Sequence, residues 1–237
     1  MNILILGYGK MGKEIEKIAL ERDHKIVDRI DENNLMNLDK NLLNKSDIAI
    51  EFTNPKSAFQ NYMKCFDANV PVVSGTTGWL NDYDKLSTFC KKNKQTFFYA
   101  SNFSLGVNIL FEINKQLAKI MNRFENYEIS IDETHHTEKL DAPSGTAITL
   151  ANNIISEIER KESWKTKTDK HNQININSFR IENVTGIHTI KYDSFVDSIE
   201  LKHYAKNRKG FALGAVLAAE FIIGKTGVFG MNDLLNF

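Results

Sequence analysis

The chain has 237 residues, of which 42% are hydrophobic and 25% charged, the balance of a folded globular protein rather than of a disordered one. Its 30 basic residues equal its 30 acidic residues, so no net charge exists to attract nucleic acid or an anionic membrane from a distance. Any cationic binding site must therefore be local.

The first apolar run, Ile3 to Leu6, is too short for the apolar region of a signal peptide. No other run approaches the ~20 residues that a membrane-spanning helix needs. We therefore expect a cytoplasmic protein. Cys65 and Cys90 lie in amphipathic helical patterns without a CxxC, so we expect them to pack in the core rather than form a disulfide or bind zinc.

The N-terminal segment predicts a dinucleotide site. A strand is predicted from Asn2 to Leu6, a helical pattern follows, and Gly7-Tyr8-Gly9-Lys10-Met11-Gly12 lies between them. In such a GxGxxG the first glycine permits a tight turn and the second lets the backbone approach a pyrophosphate. The third glycine allows close helix–strand packing. The helix N-terminus would then bind the phosphates.

The next strand carries the residues that bear on cofactor choice. It is predicted from Lys25 to Ile30 and ends at Asp31, about 20 residues past the glycines, where a carboxylate would meet the adenosine ribose hydroxyls. Glu32 adds negative charge where the 2′-phosphate of NADPH would lie. The sequence therefore favours NADH over NADPH, although Lys10 or Arg29 could offset the repulsion.

Strands and helices then alternate, which predicts a parallel sheet covered on both sides. The predicted strands span residues 48–52, 70–73 and 96–99, and the helices 55–66 and 80–90. Ligands of such sheets bind beyond the carboxyl ends of the strands. Two loops, which are also compatible with ordinary turns, lie at those ends: Ser74-Gly75-Thr76-Thr77-Gly78 and Ala100-Ser101-Asn102-Phe103-Ser104.

The pattern changes after Leu105 and predicts a second domain. A helix at 106–123, a strand at 127–132 and a helix at 147–158 precede a polar segment, 160–173, which we interpret as a solvated excursion. Strands are then predicted at 174–181, 187–192 and 198–204, and their turn-separated order suggests a meander in a mixed or antiparallel sheet. A helix at 211–223 and a short tail close the chain.

The stretch from Glu133 to Thr146 concentrates polar and cationic groups between two apolar patterns. Ser144, Gly145 and Thr146 stand at a helix start, where a hydroxyl caps the helix and backbone N–H groups can bind a carboxylate. His136 and Lys139 would add positive charge to the same pocket. His135 is the natural proton carrier, because imidazole titrates near neutral pH. Singly each residue fits a surface or turn role, but together they favour one anion site.

Two other classes of protein remain possible from the residues alone. A metal-dependent hydrolase could ligate zinc with His135, His136, Asp132 and Glu133. Adjacent histidines rarely aim at one metal, however, and no distant His/Cys pair is evident, so we expect no metal. A non-catalytic dinucleotide-sensing module would need the glycine motif but neither His135 nor Lys139.

A resemblance to a known family narrows the choice. The run Glu133-x-His135-His136-x-x-Lys139-x-Asp141-Ala142-Pro143-Ser144-Gly145-Thr146-Ala147 resembles the signature of the 4-hydroxy-tetrahydrodipicolinate reductase, or dihydrodipicolinate reductase, family. Further matching motifs span nearly the whole chain: the N-terminal glycine loop, Gly75-Thr76-Thr77-Gly78, Asn102-Phe103-Ser104-x-Gly106-Val107-Asn108, Gly224-Lys225-x-Gly227-x-Phe229 and Met231-x-Asp233-Leu234-Leu235.

The resemblance implies an α/β fold in which a Rossmann-like parallel-sheet cofactor domain, residues 1–104 plus 209–237, carries an inserted α+β domain of mixed sheet. That second domain, residues 105–208, would bind substrate and form a homotetramer. The implied reaction is NAD(P)H-dependent reduction of 4-hydroxy-tetrahydrodipicolinate, with loss of water, to tetrahydrodipicolinate in the diaminopimelate route to lysine. The implied partners are a cyclic dicarboxylate and further copies of the chain, with neither nucleic acid nor membrane.

The resemblance also implies residue roles. His135 would be the proton donor or acceptor and Lys139 a second proton donor. Substrate would be held by His136, Ser144, Gly145 and Thr146. The cofactor would be lined by Gly7, Tyr8, Gly9, Lys10, Met11, Gly12, Asp31, Gly75, Thr76, Thr77, Ala100, Ser101, Asn102 and Phe103. Many family members have basic residues where this chain has Thr137 and Glu138, and the role of Glu138 stays open.

Overall fold

The computed structural model describes residues 1–237, which form two compact units. Unit 1 comprises Met1–Ser104 and Arg208–Phe237, and unit 2 comprises Leu105–Asn207. No helix in either unit has the length and apolar character needed to cross a bilayer.

The N-terminal part of unit 1 alternates strands and helices. Its elements are β1 (Asn2–Leu6), α1 (Lys10–Glu21), β2 (Lys25–Ile30), α2 (Lys40–Leu43), β3 (Ile48–Glu51), α3 (Pro55–Asp67), β4 (Val72–Ser74), α4 (Tyr83–Lys92) and β5 (Thr96–Tyr99). The predicted helix at 80–90 begins instead as a 3₁₀ turn, Leu80–Asp82, and becomes α-helical only at Tyr83. α3 begins with Pro55 after Asn54, whose side chain accepts hydrogen bonds from the backbone of Lys56 and Ser57.

Unit 2 contains two helices and five strands. They are α5 (Leu105–Met121), β6 (Glu128–His135), α6 (Gly145–Glu157), β7 (Ser163–Lys165), β8 (Gln173–Arg180), β9 (Gly186–Asp193) and β10 (Ser198–Ala205). The strand order is β10-β9-β6-β8-β7; β8 is parallel to both of its neighbours, whereas β9 is antiparallel to both of its own. The sheet is therefore mixed, as the sequence predicted.

Three predictions for unit 2 are wrong in detail. The last three strands do not form a meander, because β6 lies between β8 and β9. β6 extends to His135, so Glu133 and His135 belong to a strand rather than to a loop. The segment 160–173 contains β7 rather than only solvated residues, and the side chain of Lys161 is buried there and donates to Glu128 (2.9 Å) and to the His171 carbonyl (2.5 Å).

The chain then returns to unit 1 through α7 (Lys209–Ile222), β11 (Gly227–Phe229) and α8 (Met231–Leu235). β11 was not predicted, since three residues carry too little pattern. It pairs in parallel with β5 and completes a six-stranded parallel sheet of order β11-β5-β4-β3-β1-β2. β3 is buried throughout, as expected for a strand covered on both faces.

Candidate active site

A groove opens at the carboxyl ends of the strands of unit 1. One cavity, of about 420 Å³, is lined by Gly7, Tyr8, Gly9, Asp31 and Glu32 among others. A second cavity, of about 450 Å³, shares Gly9, Phe52 and Thr53 with the first. It adds these predicted cofactor residues: Lys10, Met11, Gly75, Thr76 and Thr77. The two adjoining cavities, together called the groove below, lie at the position where doubly wound sheets bind dinucleotides.

Each of the three glycines of the GxGxxG motif is required for a different structural reason. Gly7 adopts φ +92°, and a Cβ there would lie 2.0 Å from the carbonyl oxygen of Phe52. A Cβ on Gly12 would lie 2.2 Å from the Gly7 carbonyl oxygen, so Gly12 permits close packing and does not line the groove. Nothing lies within 4 Å of a Cβ on Gly9, which borders both cavities. The groove therefore leaves open the side from which a pyrophosphate would approach α1.

The Asp31 end of the groove carries negative charge that Arg29 does not offset. Arg29 donates from Nε to both carboxylate oxygens of Glu16 at 3.0 Å and from Nη2 to one of them, and the Tyr8 hydroxyl donates to the same carboxylate. The hydrogen bond from Arg29 holds the pKa of Glu16 below its usual value. The charge of Arg29 is thus already paired, while Asp31 and Glu32 face the cavity.

A buried carboxylate that the sequence analysis missed hydrogen-bonds residues that line this groove. Glu51, at the end of β3, is fully buried and accepts hydrogen bonds from Ser74 Oγ (2.7 Å), Thr76 Oγ1 (2.9 Å) and the Thr53 hydroxyl. Ser74 also bonds the Tyr62 hydroxyl at 2.7 Å. Thr53 and Thr76 both line the second cavity. The signal was available in the sequence, because a charged residue ends an otherwise apolar strand.

The predicted loop from Ala100 to Phe103 lines neither cavity. Phe103 is buried against Phe52 and Phe98, with ring centroids 5.5 and 5.8 Å apart. Asn102 accepts a hydrogen bond from the backbone N–H of Ser104 at 2.9 Å. Contact between this loop and a cofactor stays a prediction.

In unit 2, the strand period of β6 places Glu133 and His135 on the same buried face as Ile129 and Ile131. Glu133 is fully buried, and its carboxylate binds Nδ1 of His135 and Nη1 of Arg180 (3.0 Å). Burial alone would raise the pKa of Glu133, but hydrogen bonds, from His135 and Arg180 among others, outweigh it and lower that pKa to about 2. An ionised carboxylate only accepts, so Nδ1 of His135 carries the proton and Nε2 is left for chemistry.

His188 completes the cluster from β9, where it pairs with Glu133 across the sheet. Its ring centroid lies 5.1 Å from that of His135. Burial, and secondarily the charge of His135, lower the pKa of His188 to about 3, so this imidazole is neutral. Its Nε2 hydrogen-bonds the Oγ of Ser144 at 3.0 Å. The same oxygen accepts from the Ala147 N–H at 3.2 Å and caps α6.

The connection between β6 and α6 carries the other predicted substrate residues. Nζ of Lys139 lies 2.8 Å from the Asp141 carboxylate, and the hydrogen bond from Lys139 lowers the pKa of Asp141. His136 is half-buried, and its Nδ1 is buried without a hydrogen-bond partner. Glu138 is exposed in the intervening turn. This segment therefore carries an imidazole and an ammonium shortly before α6 begins at Gly145.

The cluster has the composition of a metal site, but most of its candidate ligand atoms are hydrogen-bonded; Nε2 of His135 and Nδ1 of His188 are the exceptions. Ligand atoms of Glu133, His135 and His188 lie within 4.8 Å of one another. Both carboxylate oxygens, Nδ1 of His135 and Nε2 of His188 already hydrogen-bond protein groups. Asp132, a ligand in the hydrolase hypothesis, lies on the other face of β6 and binds Asn177 at 2.7 Å. The three side chains are thus joined to their surroundings by hydrogen bonds.

Comparison with known proteins assigns both units to one family. Residues 1–103 match the family model of the dihydrodipicolinate reductase N-terminus, and residues 106–235 that of its C-terminus. A 4-hydroxy-tetrahydrodipicolinate reductase of Christiangramia forsetii is 51% identical over 100% of this chain and 98% of its own. The enzyme of Wigglesworthia glossinidia brevipalpis is 38% identical over 83% of this chain and 70% of its own.

A solved structure shares the fold. Dihydrodipicolinate reductase from Paenisporosarcina sp. TG-14, in a dipicolinate-bound state, aligns with a TM-score of 0.78 at 23% identity and covers 97% of each chain. A probable dehydrogenase from Thermotoga maritima aligns with a TM-score of 0.59 at 11% identity, over 99% of this chain and 92% of its own.

Proposed function

The chain belongs to the dihydrodipicolinate reductase family, and we propose from its geometry which residues carry the reaction. The chain is an NAD(P)H-dependent oxidoreductase that converts 4-hydroxy-tetrahydrodipicolinate to tetrahydrodipicolinate in the diaminopimelate route to lysine. Membership of this family favours the reductase over the two other classes considered, a dinucleotide-sensing module and a metal-dependent hydrolase.

The observation that carries the assignment is the bond between Glu133 and His135. Because Glu133 is ionised and binds Nδ1, its charge offsets that of an imidazolium while Nε2 gives up or takes the proton. A Cβ on Gly186 would lie only 3.1 Å from Nε2, so the glycine leaves space beside the reactive nitrogen. We assign proton transfer to His135 and, as a second donor, to Lys139.

The substrate is a dicarboxylate, and the groups beside His135 suit its charge. Nδ1 of His136 is unpartnered, Lys139 is paired with the exposed carboxylate of Asp141, and α6 begins at Gly145. A helix start attracts carboxylates through its dipole and its first N–H groups. The Ser144 hydroxyl is already bonded to α6 and to His188. We therefore assign Ser144 to holding the helix start rather than to direct contact.

Unit 1 is assigned to the cofactor, since its groove fits a dinucleotide at both the phosphate motif and the ribose carboxylate. When bound, NAD(P)H supplies the hydride from nicotinamide C4. Between the two forms we propose NADH, because Asp31 and Glu32 line the groove and Arg29 is paired with Glu16. A 2′-phosphate would meet two carboxylates with no free arginine beside them.

Unit 2 is assigned to substrate binding and to assembly into a homotetramer. The β9–β10 hairpin exposes Phe195 and Val196 at its tip, and β10 exposes Ile199 and Tyr204. Such apolar groups on the last strand of an open sheet are typical of a protein–protein contact. Light scattering after gel filtration should give four times the 27.1 kDa chain mass, and a monomer would contradict the assembly.

The residue roles are tested with His135→Gln in a hydride-transfer assay on freshly made substrate. We expect turnover to fall roughly 10²- to 10⁴-fold, the usual contribution of a general acid–base group. The dissociation constant for NADH should change little, because His135 is not part of the unit 1 groove. Similar turnover with weakened NADH binding would refute the assignment. Running NADPH in parallel tests the cofactor proposal, which predicts a higher kcat/KM with NADH.

A further inference from the structure

Arg180, which the sequence analysis did not single out, hydrogen-bonds groups on three segments around the proposed active site. Its Nη1 binds Glu133 Oε1 at 3.0 Å and the carbonyl oxygen of Phe179 at 2.8 Å. Its Nη2 binds the carbonyl oxygen of Asp141 at 2.6 Å, and its Nε binds that of Lys139 at 3.3 Å. One guanidinium thus joins β6, β8 and the connection that follows β6.

That connection has little regular structure of its own. Residues 136–144 contain no helix or strand, and one backbone hydrogen bond within them, from Lys139 N–H to the His136 carbonyl, closes a turn at 3.1 Å. Carbonyls of such a segment need donors if they are to keep one position. Arg180 supplies donors on both sides of Leu140, whose side chain is 98% exposed and gives no packing.

The register of the sheet explains how Arg180 reaches both Glu133 and the connection that follows β6. β8 runs parallel to β6 and pairs Arg180 with His135, and the Ile181 N–H bonds the His135 carbonyl at 2.8 Å. The guanidinium of an arginine spreads five N–H donors over three nitrogens in a fixed plane, so it can bind a carboxylate and carbonyls that lie on different sides of it, whereas a lysine offers its three donors from a single atom.

We propose that Arg180 is the positioning residue that aligns the two proton donors with each other. Through Glu133 it fixes which nitrogen of His135 is free, and through the carbonyls of Lys139 and Asp141 it fixes where Lys139 is presented. This inference rests on the roles proposed for His135 and Lys139. It adds that neither donor is in place without the guanidinium, although Arg180 itself takes no part in proton transfer.

The test compares Arg180→Ala with Arg160→Ala in the full-length protein. Arg160 is a matched control, because it also belongs to unit 2 and donates to three backbone carbonyls, those of Met121, Phe124 and Tyr127. We expect Arg180→Ala to lower kcat roughly 30- to 100-fold, the cost of a misplaced catalytic group. The KM for NADH should stay within about twofold. Arg160→Ala should change the melting temperature but leave kcat within about twofold.

Chemical rescue distinguishes the proposed positioning role of Arg180 from a merely structural one. Guanidinium chloride at roughly 20 mM, far below denaturing concentrations, should restore at least about a tenth of the lost kcat in Arg180→Ala and none in Arg160→Ala or the wild type. If Arg180→Ala does not fold, Arg180→Lys replaces it. That variant keeps a charge but loses the fork, and its kcat should fall about tenfold.

The outcomes are distinct. An unchanged kcat in Arg180→Ala, or a loss that guanidinium does not restore, overturns the proposal, as does an unchanged kcat in Arg180→Lys where that variant is needed. If His135→Gln keeps wild-type turnover, the proposed role of His135 fails instead. If His135→Gln is slow and the Arg180 variants are not, only the positioning role is lost.

Discussion

Replacing Ser144 by alanine separates a helix cap from a substrate ligand. Loss of the cap to the Ala147 N–H costs about 1 kcal/mol. The same change removes the partner of Nε2 of His188, a residue only 4% exposed, and an unsatisfied buried polar group costs about 1–3 kcal/mol. The sum, about 2–4 kcal/mol, predicts a fall in melting temperature of roughly 4–16 °C for a chain of this size.

The assay is thermal unfolding of Ser144→Ala beside Ser156→Ala, followed by steady-state kinetics at a temperature where both remain folded. Ser156 lies on the same helix, is exposed and bonds only the Asn153 carbonyl at 2.8 Å, so its loss should shift melting by less than about 2 °C. The KM for substrate should rise less than about threefold in Ser144→Ala. An unchanged melting temperature together with a tenfold higher KM would refute the structural role and support direct contact with substrate.

Three further predictions concern the glycine motif, the thiols and acid stability. Gly12→Ala should lower both stability and NADH affinity, because its Cβ would lie 2.2 Å from a backbone oxygen. Gly9→Ala should weaken only NADH binding, because nothing lies within 4 Å of its Cβ. Equal losses of stability in the two variants, measured by calorimetry, would contradict this. Cys65 and Cys90 are buried, which raises each thiol pKa to about 12, so both should resist a thiol reagent at pH 8 until urea is added. His188 has a pKa of about 3 when folded and about 6.5 when unfolded, so the unfolded chain binds more protons between these values. Stability should therefore fall as the pH drops from 6.5 towards 3, and His188→Gln should flatten the upper part of that fall in urea titrations.

Local pattern was sufficient for most elements of unit 1. The strands Asn2–Leu6, Lys25–Ile30 and Thr96–Tyr99 have the predicted limits, because short apolar runs bounded by turn residues are local signals. The glycine motif also followed from local chemistry, including the packing role of its third glycine. The family and reaction came from the run around His135, since its residue types and spacing are specific.

The order of strands in unit 2 was beyond local pattern. Alternation marks β8 and β9 as strands but does not say that β6 will separate them. β6 lies at the centre of the sheet, where its apolar residues Ile129 and Ile131 pack against residues of α6, β8 and β9, which come later in the chain. The same limit explains the missed β11, whose three residues become a strand only beside β5.

The sequence by itself therefore determined the kind of chemistry, because a motif such as His135-His136 through Lys139 is contiguous and its side-chain types are fixed. The tertiary structure decided which groups that chemistry depends on. Glu133 became the partner of His135 because both lie on one face of β6, and Arg180 and His188 joined them through the pairing of β8 and β9. Such pairings depend on register between distant segments, which packing sets and no short stretch of sequence records.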